Sequence, residues 1–246
     1  MEVIGFRLSG RYALFTKPFT RNQPQSFVIP PKTAISGMIG GILGFGREEY
    51  QQKLAPFKYS VILVKEPTKY TARFSLLQGK DAKFSWSENP IRTPPKRGSR
   101  SPTTFELLKN PVWDIFISAP SEILEELEWR IERHLYHYVP YLGVANAFAR
   151  LELFQPRIEL EKVKRDGEIP PLASFFETGK VRIKVNRPLR FYNEVIPIEF
   201  QEGRKLPKTR EMTIATEPVE VLNLEEIADD LYRYRTGERD YTIRFI

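Results

Sequence analysis

The chain has 246 residues, 41% of them hydrophobic, and carries 38 Lys and Arg against 31 Asp and Glu, a formal charge of +7. That length allows one large domain or two small ones with a real core, and the charge favours an anionic partner (nucleic acid or a membrane surface) over solubility alone. There is no cysteine and only two histidines, so disulfides and thiolate metal sites are excluded and no metal or other cofactor is expected. No stretch approaches the roughly 20 apolar residues of a membrane span, and Met1 to Gly5 lacks the basic and apolar regions of a signal peptide. A cytoplasmic protein without a membrane partner is expected.

Val3 to Phe6 reads as a strand that runs on toward Leu8. Ser9 to Ile29 is polar and irregular, with aromatics at Tyr12, Phe15, Phe19 and Phe27. From Val3 to Arg47 there are six basic residues, Arg7, Arg11, Lys17, Arg21, Lys32 and Arg47, and no acidic one. One-signed charge interleaved with aromatics is the pattern of a phosphate track with base-stacking platforms. The alternative is a solvated loop whose aromatics enter the core.

The next stretch, Pro30 to Gly44, reads Pro-Pro-Lys-Thr-Ala-Ile-Ser-Gly-Met-Ile-Gly-Gly-Ile-Leu-Gly. Two prolines fix an extended approach to a helix that Thr33 is placed to cap. Ala34, Ile35, Met38, Ile39, Ile42 and Leu43 recur at helical spacing. Gly37, Gly40 and Gly41 each weaken a helix by about 1 kcal/mol relative to alanine, which points to close approach of another backbone or a ligand. Gly44 suits a left-handed stop. One reading is a tightly packed amphipathic helix. The other adds an anion site, with Lys32, the Thr33 and Ser36 hydroxyls and the free amides of the helix start holding a phosphate. Neither a Walker loop nor a dinucleotide fingerprint is present.

This run resembles the N-terminal signature of a CRISPR-associated family, the subunit of type I surveillance (Cascade) complexes that grips the 5′ handle of the guide RNA. The family belongs to the repeat-associated RNA-binding (RAMP) superfamily. A second element, Tyr141-Leu142-Gly143, resembles the Leu-Gly element that follows the second helix of the same domain. The resemblance implies an α+β protein: an N-terminal ferredoxin-like (RRM-like) domain with an inserted β-arm or thumb. It also implies guide RNA, a repeating backbone subunit and a large subunit as partners, with target DNA met through the RNA. One branch of the family cleaves repeat RNA while most members only bind it.

Arg47 to Leu54 reads as a short polar helix, Phe57 to Lys65 as a buried strand, and Tyr70 to Leu77 as a strand that leaves the sheet. Gln78 to Ser101 is a long polar excursion with Pro90, Pro94 and Pro95. Its basic residues Arg92, Lys96, Arg97 and Arg100 have no acidic residue between Glu88 and Glu106. Such an excursion is functional or a loose surface loop; by the resemblance it is the thumb, an arm over about 78–104, with Phe84 or Trp86 as stackers. Val112 to Ser118 alternates as a strand. Ser121, as cap, starts a helix reaching about Tyr138, with a core stripe of Ile123, Leu124, Leu127, Ile131 and Leu135 and an acidic outer face. His134 and His137 sit on its last turn, as end caps or as two ligands lacking a third. Arg150 to Val163 continues as a strand.

The order strand, helix, strand, strand, helix, strand is the ferredoxin-like one. A break near Lys164 to Pro171 divides the chain into 1–165 and 166–246. The second part, smaller and mostly β, has strands at Val181 to Val185, Leu189 to Phe200 and Arg210 to Thr216, with a short acidic helix at Leu224 to Tyr232.

The candidate RNA-binding set is Arg7, Arg11, Lys17, Arg21, Lys32, Thr33, Ser36, Arg92, Lys96, Arg97 and Arg100. No catalytic constellation stands out, and no catalytic residue is assigned. A non-catalytic guide-RNA subunit is the leading expectation. A metal-independent endoribonuclease drawing on His134, His137, Tyr12, Tyr138 or Tyr141 is the alternative.

Overall fold

The computed structural model describes residues 1–20, 23–77, 100–163, 169–200, 207–223, 231–237 and 239–246. In chain order the first elements are β1 (Glu2–Ser9), β2 (Tyr12–Ala13), α1 (Lys32–Leu43), α2 (Tyr50–Lys53) and β3 (Lys58–Lys65). Then come β4 (Thr68–Leu77), β5 (Arg100–Lys109), β6 (Val112–Ser118), α3 (Ser121–Arg133) and β7 (Arg150–Glu159). The remainder is all strand: β8 (Glu161–Lys162), β9 (Phe176–Glu177), β10 (Ile183–Lys184), β11 (Phe191–Phe200), β12 (Pro207–Ala215), β13 (Glu220–Val221), β14 (Leu231–Thr236) and β15 (Arg239–Arg244). The architecture is α+β with strands dominant.

A four-stranded antiparallel sheet in the order β3-β6-β1-β7 forms the centre. Alternation along β1 assigns its two faces. Ile4, Phe6 and Leu8 enter the main core with Ile35 and Ile39 of α1 and Leu124, Leu127 and Ile131 of α3. Val3 enters a second core with Phe116, Tyr232, Tyr234 and Ile243, where the small sheet β15-β14-β8 covers the opposite face. A third sheet, β11-β12-β9, sends Ile196, Met212 and Ile214 into the main core beside α1. β10 and β13 form a minor pair. The hairpin β4–β5, joined by β2, makes a separate three-stranded sheet.

Several sequence expectations need correcting. Thr33 does not cap α1: the helix begins at Lys32, and the Pro31 carbonyl takes the Ala34 and Ile35 amides at 2.9 and 3.1 Å. Pro31, at φ −63° and ψ 151°, sets the helix start by its own ring constraint. Pro120 does the same for α3, and Ser121 makes no capping bond. That helix stops at Arg133 because His134 turns left-handed at φ 53°, so Leu135 lies beyond it, half exposed. The expected helix at Leu224 to Tyr232 falls mostly outside the described residues, but Leu231 and Tyr232 belong to strand β14, where they pair with Arg244 and Ile243. The strand expected at Val181 to Val185 is only Ile183–Lys184. Strand β5 was not anticipated; it turns the end of the expected arm into a paired stem.

Among the described residues no helix is long and apolar enough to cross a membrane. Nor does any group of three or more His, Asp or Glu among them have the closeness to hold a metal ion.

Candidate nucleic-acid interface

The glycines of α1 divide by face. Ile35, Ile39, Ile42 and Leu43 face the core. A β-carbon on Gly40 would meet the Tyr50 Cβ at 2.7 Å, so this glycine permits the packing of α2 against α1. Gly37 has nothing within 4 Å of its missing β-carbon, and Gly41 has only Tyr138 at 3.9 Å. Gly37 and Gly41, at helical spacing, open the helix backbone along the floor of a groove of about 960 Å³ that Thr33, Ala34 and Met38 also line.

Three other segments wall this groove. Phe15, Pro18 and Phe27 come from the basic aromatic stretch; Phe45, Gly46, Arg47 and Tyr50 follow α1; Pro197, Phe200 and Pro207 come from the β11–β12 hairpin. The rim is Tyr138-Val139-Pro140-Tyr141, placed by hydrogen bonds to the end of α1. The His137 amide donates to the Ile42 carbonyl at 3.1 Å and the Tyr138 amide to the Gly41 carbonyl at 3.1 Å. These occupy carbonyls that a helix end leaves without partners. Gly44, left-handed at φ 79° as expected, packs against the His137 ring. The result is an unusually aromatic rim: Tyr138 is 62% exposed and Tyr141 48%, with Phe148 bridged beside Tyr141 and 66% exposed.

The two motifs that carry the family resemblance therefore meet at one place. Leu142 is fully buried, and its carbonyl accepts the Leu14 amide at 3.0 Å. Gly143, at φ 84°, lies against the Leu14 backbone, a position that tolerates no side chain.

Buried polar contacts fix the wall opposite the rim. Ser26 Oγ accepts the Phe15 amide at 3.0 Å and donates to the Phe27 carbonyl at 2.9 Å. Trp113 Nε1 donates to the Val28 carbonyl at 3.0 Å, and the Tyr59 hydroxyl to the Pro30 carbonyl at 2.5 Å. The Val28 amide donates to Glu194 Oε2 at 2.9 Å, while Lys17 Nζ stands 2.7 Å from Glu194 Oε1. Glu194 is buried on β11, so this ion pair holds the hairpin to the aromatic stretch.

The anticipated RNA-binding residues are not all together. Thr33 lines the groove; Ser36 and Lys32 lie outside its lining. Lys32 stands over the Phe57 ring at 5.6 Å, and burial holds its ammonium below the usual lysine range. Lys17 is engaged by Glu194, and Arg11 stacks over Tyr12 at 5.6 Å. Arg7 is on the other face of the central sheet, bonded through Nε and Nη2 to Asp114 at 2.8 and 3.1 Å. Burial raises the Asp114 carboxyl above its usual range although Arg7 opposes the shift, and the Asp114 bond raises Arg7. Arg21, Arg92, Lys96 and Arg97, with Phe84 and Trp86, lie outside the described residues; Arg100 is described only as the first residue of β5. His134 Nδ1 is 3.1 Å from the Tyr136 hydroxyl, while His137 packs edge-on to Tyr138 with ring centroids 4.6 Å apart.

Sequence reasoning missed the groove role of Tyr138 and Val139. Their signal was available: exposed aromatics and prolines directly after a helix. It also missed the part played by the β11–β12 hairpin, which no local pattern announces.

The fold has known relatives. A chain of a structure described as a CRISPR RNA-guided surveillance complex superposes with a TM-score of 0.55 at 15% identity, covering 90% of this chain and 92% of that one. A CRISPR protein from Archaeoglobus fulgidus gives 0.50 at 12% identity, covering 99% and 100%. At such identities the likeness is one of fold. No curated protein sequence matches the chain. The sequence profile of the family described as CRISPR-associated protein (Cas_Cas5), however, matches residues 3–204. That span holds both motifs and every wall of the groove except Pro207, and the chain belongs to this CRISPR-associated family.

Proposed function

We propose that the chain is the subunit of a type I CRISPR surveillance complex that binds the 5′ handle of the guide RNA, without cleaving it. The observation that carries this reading is the groove. Its floor is α1, opened to the backbone at Gly37 and Gly41 between Thr33, Ala34 and Met38, its rim is exposed aromatic rings, and Arg47 is its basic wall residue. Bases stack on such rings whatever their sequence, while the two glycines of the floor let a flat ligand approach the helix backbone. Family membership supplies the CRISPR context.

Further parts of the reading follow the same line. The order βαββαβ with the sheet β3-β6-β1-β7 supports a ferredoxin-like domain over about 1–165, with a smaller β region after it. The paired strands β4 and β5 are the stem of the arm, whose tip would wedge between guide nucleotides. The repeating backbone subunit and the large subunit are the protein partners, and target DNA is read by the RNA.

The test is a native gel of purified protein with labelled repeat RNA, beside a denaturing gel of the same reaction with and without chelator. Binding that depends on the 5′ handle, weakens steeply with salt and yields no product is expected. Equal binding of an unrelated RNA of the same length overturns the reading. Cleavage at one fixed position would instead make the chain a processing endoribonuclease.

A further inference from the structure

The outer face of α3 carries the opposite sign from the chain as a whole. The helix holds five glutamates and two arginines, in a chain of formal charge +7. Leu124, Leu127 and Ile131 are its buried stripe. Glu122, Glu125, Glu126, Trp129, Glu132 and Arg133 are all exposed, and their helical spacing places them on the opposite side. Trp129 is at the middle of that stripe, with Glu125 and Glu126 one turn before it and Glu132 and Arg133 one turn after. It is 42% exposed, whereas Trp113 is fully buried. The Arg133 guanidinium lies over its ring at 5.2 Å.

The acidic side chains of the first half of the helix are held in place from β7. Arg157 reaches Glu2 through Nη1 at 2.7 Å, Glu125 through Nη2 at 2.7 Å and Glu128 through Nε at 3.5 Å. Its Nη1 also donates to Ser121 Oγ at 3.3 Å. Arg157 does this from a left-handed backbone at φ 36°, which is unfavourable for a residue with a β-carbon. Strain of this kind persists only where the surroundings over-determine it. Negative charge is still in excess: Glu2 and the five glutamates of α3 stand against Arg130, Arg133 and Arg157.

Resting on the reading that the chain works within a surveillance complex, we infer that the outer face of α3 docks a neighbouring protein subunit, whose contact surface is basic around an apolar slot for Trp129. The sign of the charge selects this partner. Excess carboxylate repels a phosphate backbone and attracts lysine and arginine. The indole is the anchor, since tryptophan is among the residues that carry most of the binding energy at interfaces. Glutamates already fixed by Arg157 lose little freedom on docking.

The experiment uses the complex purified from the native host on the tagged full chain, with the free chain beside it. Two readouts are taken by mass spectrometry: hydroxyl-radical oxidation of Trp129, and carbodiimide coupling of carboxylates to lysines. Trp129 is expected to be oxidised in the free chain and protected in the complex, and Glu122 or Glu126 to couple to a lysine of another subunit. Trp129→Ala is expected to weaken the affinity for that subunit about 30-fold, as at an interface hot spot, with the urea midpoint kept. Glu122→Lys/Glu126→Lys should lose the subunit, and the charge-matched control Glu211→Lys/Glu217→Lys should keep it. Equal oxidation of Trp129 in the complex and the free chain, or coupling only between two copies of this chain, overturns the inference. A chain that purifies from its host without other proteins refutes the complex reading itself and takes the inference with it.

Discussion

A β-carbon on Gly143 would lie 2.0 Å from the carbonyl oxygen of Leu14. The backbone there is also left-handed, at φ 84°. Gly143→Ala therefore meets both a conformational penalty of about 1–2 kcal/mol and an overpacking penalty of about 1–3 kcal/mol. A fall in stability of that combined size is expected from the urea midpoint. Gly37→Ala is the contrast. Nothing approaches its missing β-carbon, so the helix should gain about 1 kcal/mol. Equal responses at the two glycines would refute this account of the groove.

Glu194 is the buried partner of both Lys17 and the Val28 amide. Glu194→Ala leaves a half-buried cation and a buried amide without their acceptor, and a loss of about 3–5 kcal/mol is expected. Lys17→Met combined with Glu194→Gln keeps the shape and removes both charges, so it should be milder. Denaturant titration of the single and double variants measures the coupling. Independent, additive losses would mean that the pair does not fasten the hairpin.

The rim aromatics make the opposite prediction. Tyr138 and Tyr141 are too exposed for their truncation to disturb the core. Tyr138→Ala and Tyr141→Ala should each weaken RNA binding by about 1–3 kcal/mol and leave the midpoint within about 0.5 kcal/mol of wild type. RNA titration at fixed salt decides it; unchanged affinity in both variants removes the stacking role.

Under the proposed function, Lys32 trades stability against binding. Burial lowers its ammonium below the usual lysine range, so the folded chain holds that proton less tightly than the unfolded chain does. Its unfavourable contribution is complete at neutral pH. The contribution shrinks as pH rises through the depressed folded value toward the unfolded one. Lys32→Met should accordingly be at least as stable as wild type at pH 7, with its advantage narrowing in alkaline solution, while binding RNA more weakly. Thermal midpoints between pH 7 and 11 test the sign; a variant less stable at pH 7 reverses it.

The central sheet and both long helices were legible because their periodicities are local. Ile35, Ile39 and Ile42 announce a buried helical face, and the alternation of Val112 to Ser118 announces β6. The caps were misread at Thr33 and Ser121 for one reason. In each case a proline comes before the helix, and its fixed geometry and carbonyl do what a hydroxyl does elsewhere. The glycines of α1 were legible as unusual but not as different from one another, since only tertiary neighbours separate Gly40 from Gly37. Lys17 and Glu194 lie on segments with no common pattern, and their pairing depends on how β11 packs against α1.

The short run Tyr12 to Phe15 has a mechanical consequence. Tyr12 and Ala13 pair with Lys109 and Leu108 at the base of the arm. Leu14 bonds to Leu142 beneath the rim, and Phe15 to Ser26 in the wall. Four successive residues are thus a ruler between arm and groove. Neighbouring residues of an extended chain point to opposite sides, so one residue inserted between Ala13 and Leu14 would turn the arm over relative to the groove. Two would restore its facing but shift it by about 7 Å, two residues of strand rise. Under the proposed function, the length of this run sets which nucleotides the arm and the groove can hold at the same time.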